Sequence, residues 1–210
     1  MKDLGAAQKI MGMEIYRDRD KNKLFLSQKG YIQKILSRFG MSSAKSINTS
    51  SVVNARFSSV LLPQSEAEKE YMYRVPYATA VESLMYAMVC TRSNLAHTVS
   101  VVSRFMGQIG KEHWQVVKRI FRYLRGTSDV SFVFGNCTEC LVTGYSDSDY
   151  AGDVDSRRSM TGYVFTLGGS VINWKATLQP TVTLSTTEAE YMALTEAANE
   201  GIWLRGYCIL

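Results

Sequence analysis

Near residue 131 the apolar residues change their spacing, and with it the kind of structure they can build. Upstream, Val117, Ile120, Phe121 and Leu124 recur at i, i+3, i+4 and i+7, a stripe that only a helix gathers on one side. Downstream, residues 131–134, 141–146, 161–167 and 170–175 read as strands, and Gly168-Gly169 joins the last two as a two-residue hairpin turn. A further helix is expected from about Thr186 to Leu204, with Tyr191, Leu194, Ala198 and Ile202 on one side. A helical first part followed by a run of strands and a last helix predicts an α/β chain.

The first part divides further. Met11, Met13 and Ile15, then Leu24 and Leu26, alternate about a polar stretch and predict a β-hairpin. Ser27 is placed to cap a helix that buries Tyr31, Ile32, Ile35, Leu36 and Phe39, with Gly40 stopping it. Residues 42–70 are rich in Ser and charge and lack a period, which predicts a linker or draped loop. Helices are expected at 77–90, with Val81, Leu84, Met85 and Met88 inward, at 95–106, with Leu95, Val99, Val102 and Phe105 inward, and at 111–125. The last of these carries Lys118, Arg119, Arg122 and Arg125 opposite its apolar stripe. Such a face is either ordinary solvated surface or a row of phosphate contacts, since cations on one rigid rod can neutralise successive phosphates.

The charge is unevenly shared. Residues 1–140 hold 20 Lys/Arg against 11 Asp/Glu, and residues 141–210 hold 4 against 8, so a basic body precedes an acidic terminal region. That fits a polyanion held by one part and cations gathered by the other. No apolar run approaches the roughly 18 residues of a membrane span, and the N-terminal MKDLGAAQKI carries Asp3 and no apolar segment. An intracellular chain, in cytoplasm or nucleus, is therefore expected. Cys137 and Cys140 have the spacing of half a zinc knuckle, but no second pair of ligands accompanies them, so free thiols are expected.

Two acidic clusters could carry chemistry. In Tyr145-Ser-Asp147-Ser-Asp149-Tyr-Ala-Gly-Asp153-Val-Asp155, four carboxylates fall at the end of a strand. A calcium loop is excluded, because Ala151 and Arg158 occupy positions that need oxygen ligands and the preceding segment is β-like. In Ser185-Thr-Thr-Glu188-Ala-Glu190, Ser185 and Glu188 form a capping box, which leaves Glu190 without a structural duty. From the residues alone, Asp147 and Glu190 are either two unrelated surface acids or two oxygen ligands of one divalent ion.

The strings Gly144-Tyr-Ser-Asp-Ser-Asp-Tyr-Ala-Gly-Asp153, Arg157-Arg-Ser-Met-Thr-Gly-Tyr163 and Leu184-Ser-Thr-Thr-Glu-Ala-Glu-Tyr-Met-Ala193 resemble the RNase H domain of copia-type LTR retrotransposon Pol polyproteins. Ser83-Leu-Met-Tyr-Ala-Met, Thr91-Arg92, Ser103-Arg-Phe-Met, His113 and Arg122-Tyr-Leu-Arg-Gly-Thr127 resemble the segment joining reverse transcriptase to RNase H in that family. Asp3-Leu-Gly5, Met11-Gly-Met-Glu-Ile15 and Leu26-Ser-Gln-Lys-Gly-Tyr31 resemble the end of the polymerase module. The resemblance implies a reverse-transcriptase end at 1–41, a linker at 42–75, a mainly helical connection region at 76–130 and a truncated RNase H-like domain at 131–210. The implied fold for the last part is three antiparallel strands plus the first helix. Asp147 and Glu190 match two of four carboxylates that hold two Mg²⁺ ions while the RNA strand of an RNA–DNA hybrid is cut. The other two carboxylates and the polymerase aspartates are expected outside the chain.

Three functions follow: an active hybrid nuclease, a non-catalytic nucleic-acid-binding remnant using Lys118, Arg119, Arg122 and Arg125, or an inert decayed reading frame. The second and third are preferred, because carboxylates are missing. An unpaired sheet edge at 141–146 is expected to promote self-association. Glu82, where the family has Gly, and Ser93-Asn94, where it has Pro-Asp, depart from the pattern. Glu82 would need solvent or a partner.

Overall fold

In a computed structural model, residues 5–50, 58, 62–135 and 141–208 are described. The expected hairpin forms a sheet of β1 (Lys9–Ile10), β2 (Met13–Asp18) and β3 (Lys23–Ser27), all antiparallel. Met11 and Gly12 make the first turn with φ of 46° and 72°, so Met11 leaves the strand alternation. Helix α1 (Lys29–Arg38) buries Ile32, Ile35 and Leu36. It ends as Gly40 predicts: Gly40 adopts φ 66°, the Met41 N–H donates to the Leu36 carbonyl and the Gly40 N–H to that of Ser37.

Within the expected linker lies a short helix, α2 (Glu66–Tyr73). The Ser65 hydroxyl caps it, accepting from the Glu68 N–H, but only Met72 is buried, so its sequence carries no apolar period. Helix α3 (Tyr77–Thr91), a 3₁₀ turn (Ser93–Leu95), α4 (Ala96–Ser103) and α5 (Lys111–Gly126) follow. They enclose a core that includes Ile32, Leu84, Val99, Ile120 and Phe121, all with no exposed surface. Truncating one of these to Ala costs about 2–5 kcal/mol. Tyr77 is buried among them and its hydroxyl donates to the Val102 carbonyl at 2.8 Å. Met85 faces outward instead, as does Glu82, whose departure from the family pattern therefore disturbs no packing. Asn94 donates to the Tyr123 hydroxyl.

Strand β4 (Ser131–Phe134) pairs with β3, closing the first sheet as β1-β2-β3-β4. The three strands that follow make a separate antiparallel sheet: β5 (Val142–Asp149), β6 (Met160–Leu167) and β7 (Ser170–Leu178), in that order, with β5 at an edge. Gly168 and Gly169, at φ 55° and 80°, form the two-residue turn between β6 and β7. The sheets meet through side chains, with Phe132 and Trp174 rings 5.4 Å apart and the Ser170 hydroxyl donating to the Val133 carbonyl at 2.7 Å.

Helix α6 (Thr186–Cys208) packs across β5 and β6. It does so through Ala189, Ala193, Ala197 and Leu204, while Tyr191, Leu194, Ala198 and Ile202 are exposed. The expected apolar side is thus the outer one. The reason is contact distance: a Cβ on Gly201 of α6 would stand 3.3 Å from Cε1 of Phe165, the cross-strand partner of Gly144. On this face α6 offers the sheet mainly small residues, set against the Phe165 ring. No helix among the described residues is long and apolar enough to cross a membrane.

Candidate functional site

Most acids of the two clusters have structural partners. Asp149 Oδ1 accepts from the backbone N–H of Met160, its cross-strand neighbour. A Cβ on Gly152 would lie 2.0 Å from Asp149 Oδ2, so glycine there leaves room for that carboxylate. Asp153 is buried: Oδ2 accepts from the Ser156 N–H at 3.2 Å and from its hydroxyl, and Oδ1 pairs with Arg104 Nη1 at 2.8 Å. It therefore ties the β5–β6 loop to the end of α4. Asp155 accepts from the Ser58 hydroxyl at 2.9 Å. Glu188 joins the cap of α6, but its Oε2 accepts from the Leu184 N–H at 2.6 Å, one residue before the position a capping box uses. The Ser185 hydroxyl completes the cap by accepting from the Glu188 N–H at 3.1 Å.

Asp147 and Glu190 remain. Both are exposed, and among the described residues neither carboxylate has a hydrogen bond or ion pair. Asp147 lies on β5 opposite Gly162, and Glu190 sits in the first turns of α6. The two are not in direct contact. The face of β5 toward α6 is that of Gly144 and Ser148, the first against Phe165 and the second near Gln179, so alternation turns Asp147 the other way. Among the described residues no three His, Cys, Asp or Glu side chains gather as a metal site. Two carboxylates do not fit a two-ion centre, which needs several anionic ligands converging. Cys137 and Cys140 lie outside the described residues.

The basic face of α5 is partly engaged. Arg122 Nε donates to the Lys45 carbonyl at 2.9 Å, and Arg125 Nη1 donates to that of Ala44, so both hold residues 44–45 against the helix. Lys118 Nζ stands 6.0 Å from the Trp114 ring centroid, and Arg119 is half-buried. Hydrogen bonds to neutral carbonyls leave both arginine charges uncompensated, so the face keeps its positive potential. Lys175 differs. It pairs with Glu196 at 2.5 Å across the β7–α6 cleft, and this hydrogen bond raises its pKa above the usual lysine value.

One residue at this end of the molecule had no sequence signal. Gln179 follows β7 and is 1% exposed. Its Nε2 lies 2.9 Å from the Ala189 carbonyl, 3.1 Å from Thr161 Oγ1 and 3.4 Å from Ser148 Oγ. Its backbone N–H donates to the Ser159 carbonyl at 2.8 Å, and its carbonyl accepts from Arg158 Nη1 at 3.3 Å. A polar residue in a Pro-containing connection reads as solvated loop, and only the tertiary fold buries it.

Comparison with known proteins places the whole chain. It is 52% identical over 207 residues to the retrovirus-related Pol polyprotein from transposon TNT 1-94 of Nicotiana tabacum, an alignment covering 99% of this chain and 16% of the polyprotein. It is 33% identical over 188 residues to the retrovirus-related Pol polyprotein from transposon RE1 of Arabidopsis thaliana, covering 86% of this chain and 12% of that one. A third similarity, 48% over 133 residues, is to the secreted RxLR effector protein 161 of Plasmopara viticola, covering 63% of this chain and 94% of the effector. No protein-family model and no solved structure matches.

Proposed function

The chain belongs to the Pol polyproteins of retrotransposons, and on that premise we propose that it is a stretch of copia-type Pol carrying the connection region and part of an RNase H-type site. In this reading the helical body offers an RNA–DNA hybrid the Lys118, Arg119, Arg122 and Arg125 face, and β5 with α6 contribute two of the carboxylates that such a nuclease needs. One observation carries it. Of the acids in the two clusters, Asp149, Asp153, Asp155 and Glu188 are engaged in hydrogen bonds, while Asp147 and Glu190 make no side-chain hydrogen bond or ion pair among the described residues. Those are the two positions that the family motifs mark.

When bound, Mg²⁺ supplies water activation and charge neutralisation in such sites. Asp147 and Glu190, which do not meet, supply too few oxygens to hold such a pair of ions by themselves. The 210 residues by themselves therefore bind a hybrid without cutting it.

The test is a labelled RNA–DNA hybrid incubated in Mg²⁺ or Mn²⁺ with the chain and with an Asp147→Asn/Glu190→Gln variant. Retention of intact hybrid by both is expected. Cleavage by the first and not the second would overturn the non-catalytic reading. Failure of either protein to bind hybrid at low salt would overturn the nucleic-acid reading itself.

A further inference from the structure

We propose that Gln179 is a positioning residue for Asp147 and Glu190, its carboxamide locking the sheet that bears the first, through the neighbouring strand β6, to the helix turn that bears the second. The inference rests on the reading of those two acids as the working pair.

The geometry is local and specific. Ser148 and Thr161 face each other across β5 and β6, and the next register pair is Asp147 with Gly162. Gln179 Nε2 reaches that first pair from above, closest to Thr161 at 3.1 Å. The same nitrogen donates at 2.9 Å to the carbonyl of Ala189, the residue before Glu190. A single amide group thus joins Thr161, the cross-strand partner of the residue after Asp147, to the residue before Glu190. Its two N–H bonds go to the two nearer acceptors, and the 3.4 Å approach to Ser148 is the weakest of the three.

The orientation of the carboxamide is not free. Ala189 presents a carbonyl, which only the nitrogen end can satisfy, so the group cannot flip. Among the described residues Gln179 Oε1 is then buried with no partner. A buried acceptor without a donor is unfavourable, and an apolar side chain of the same length would fill this space without one. The site keeps a polar residue for what its N–H bonds fix, which is the relation between strand and helix. The backbone bonds of Gln179 to Ser159 and Arg158 hold its own position from below.

The experiment reads the strand–helix relation without metal. Nitroxide labels go on Asp147→Cys and Glu190→Cys, in the full chain with its four native cysteines changed to Ser. With Gln179 the distance distribution is expected to be single and narrow. In Gln179→Met, nearly isosteric but without donors, it should at least double in width. Gln179→Glu can donate to Ala189 only when its carboxyl is protonated, so it should be wide near pH 8 and narrow again near pH 5, since burial raises a carboxyl pKa by roughly 1 unit or more.

Phe165→Leu loosens the same helix–sheet seam elsewhere and should leave the distribution narrow. Should Gln179→Met fail to fold, Thr161→Val removes only the strand side of the clasp and should widen the distribution in the same direction. An unchanged width in the foldable variant, a Gln179→Glu distribution indifferent to pH, or equal widening in Phe165→Leu would each overturn the proposal. Mn²⁺ line broadening in the unlabelled chain is scored separately. If it does not strike residues 147 and 190 together, the metal reading fails, while the label widths still decide the role of Gln179.

Discussion

Replacing Gly144 by Ala puts a methyl group where none fits, and the outcome can be worked from the distances. The new Cβ would stand 2.4 Å from Cε1 of Phe165, 3.0 Å from Cδ1 and 3.1 Å from Cζ. Ordinary contact needs about 3.4–4 Å, so the ring must withdraw by roughly 1 Å. Its retreat is limited on the far side, where Gly201 already leaves only 3.3 Å to the same carbon edge for a Cβ. Overpacking of this kind costs about 1–3 kcal/mol. Against it, Ala in a strand gains about 0.5–1 kcal/mol over Gly through backbone entropy. The balance is destabilising by up to about 2.5 kcal/mol, which for a chain of this size lowers Tm by at most about 10 °C. Urea unfolding followed by far-UV circular dichroism measures it. The double variant Gly144→Ala/Phe165→Leu should recover part of the loss, giving a coupling of about 0.5–3 kcal/mol between the two sites. A Gly144→Ala chain more stable than the parent, or strict additivity in the double variant, would refute the close packing of Gly144 against Phe165.

Three further outcomes are expected. Changing Arg122 and Arg125 together to Ala should weaken hybrid binding and lower its salt slope by about one unit for each phosphate no longer neutralised; an unchanged slope by fluorescence anisotropy would leave these residues only their hold on Ala44 and Lys45. Burial lowers the pKa of His113, whose neutral Nδ1 accepts from the Gly110 N–H at 2.9 Å. The unfolded chain then binds the extra proton first, so stability should be full above about pH 6.5 and decline as pH falls below it; His113→Gln should flatten that slope in urea midpoints. The open edge of β5 should drive concentration-dependent association, and sedimentation velocity showing monomer across a hundredfold range would argue against it.

Local signals carried well from sequence to fold. Gly40, Gly168-Gly169, Ser185 with Glu188 and the stripe on α5 each specify their element through neighbours within a few residues. Helix α2 escaped because it buries only Met72, although Ser65 and Glu68 spelled its cap. The burial of α6 inverted expectation because hydrophobicity alone ranks Tyr191 and Ile202 above Ala189 and Ala193. What decides is the close seat of α6 on the sheet, where Gly201 stands against the Phe165 ring. At the site, the strand end and capping logic freed Glu190 from a structural task, but singling out Asp147 among four aspartates required the family resemblance. The hydrogen bonds of Asp149 and Asp153 set those two apart from Asp147, which makes none through its side chain among the described residues. Gln179 and Arg104 were illegible because their partners, Ala189 and Asp153, are distant in sequence and their surroundings show no period.

The pairing of β3 with β4 also sets an order of events during synthesis. Ser27 waits for Ser131, so the hairpin made first keeps one bare edge until roughly 100 further residues have emerged. At ~5–20 residues per second that is an interval on the order of ten seconds. Throughout it, the growing chain displays the outer rim of Lys23–Ser27 with no permanent neighbour, while the helices that come between assemble beside it. A chain that had emerged only to the end of α5 would hold its helices beside an open ribbon, which makes Ser131–Phe134 the strand for which the first sheet waits.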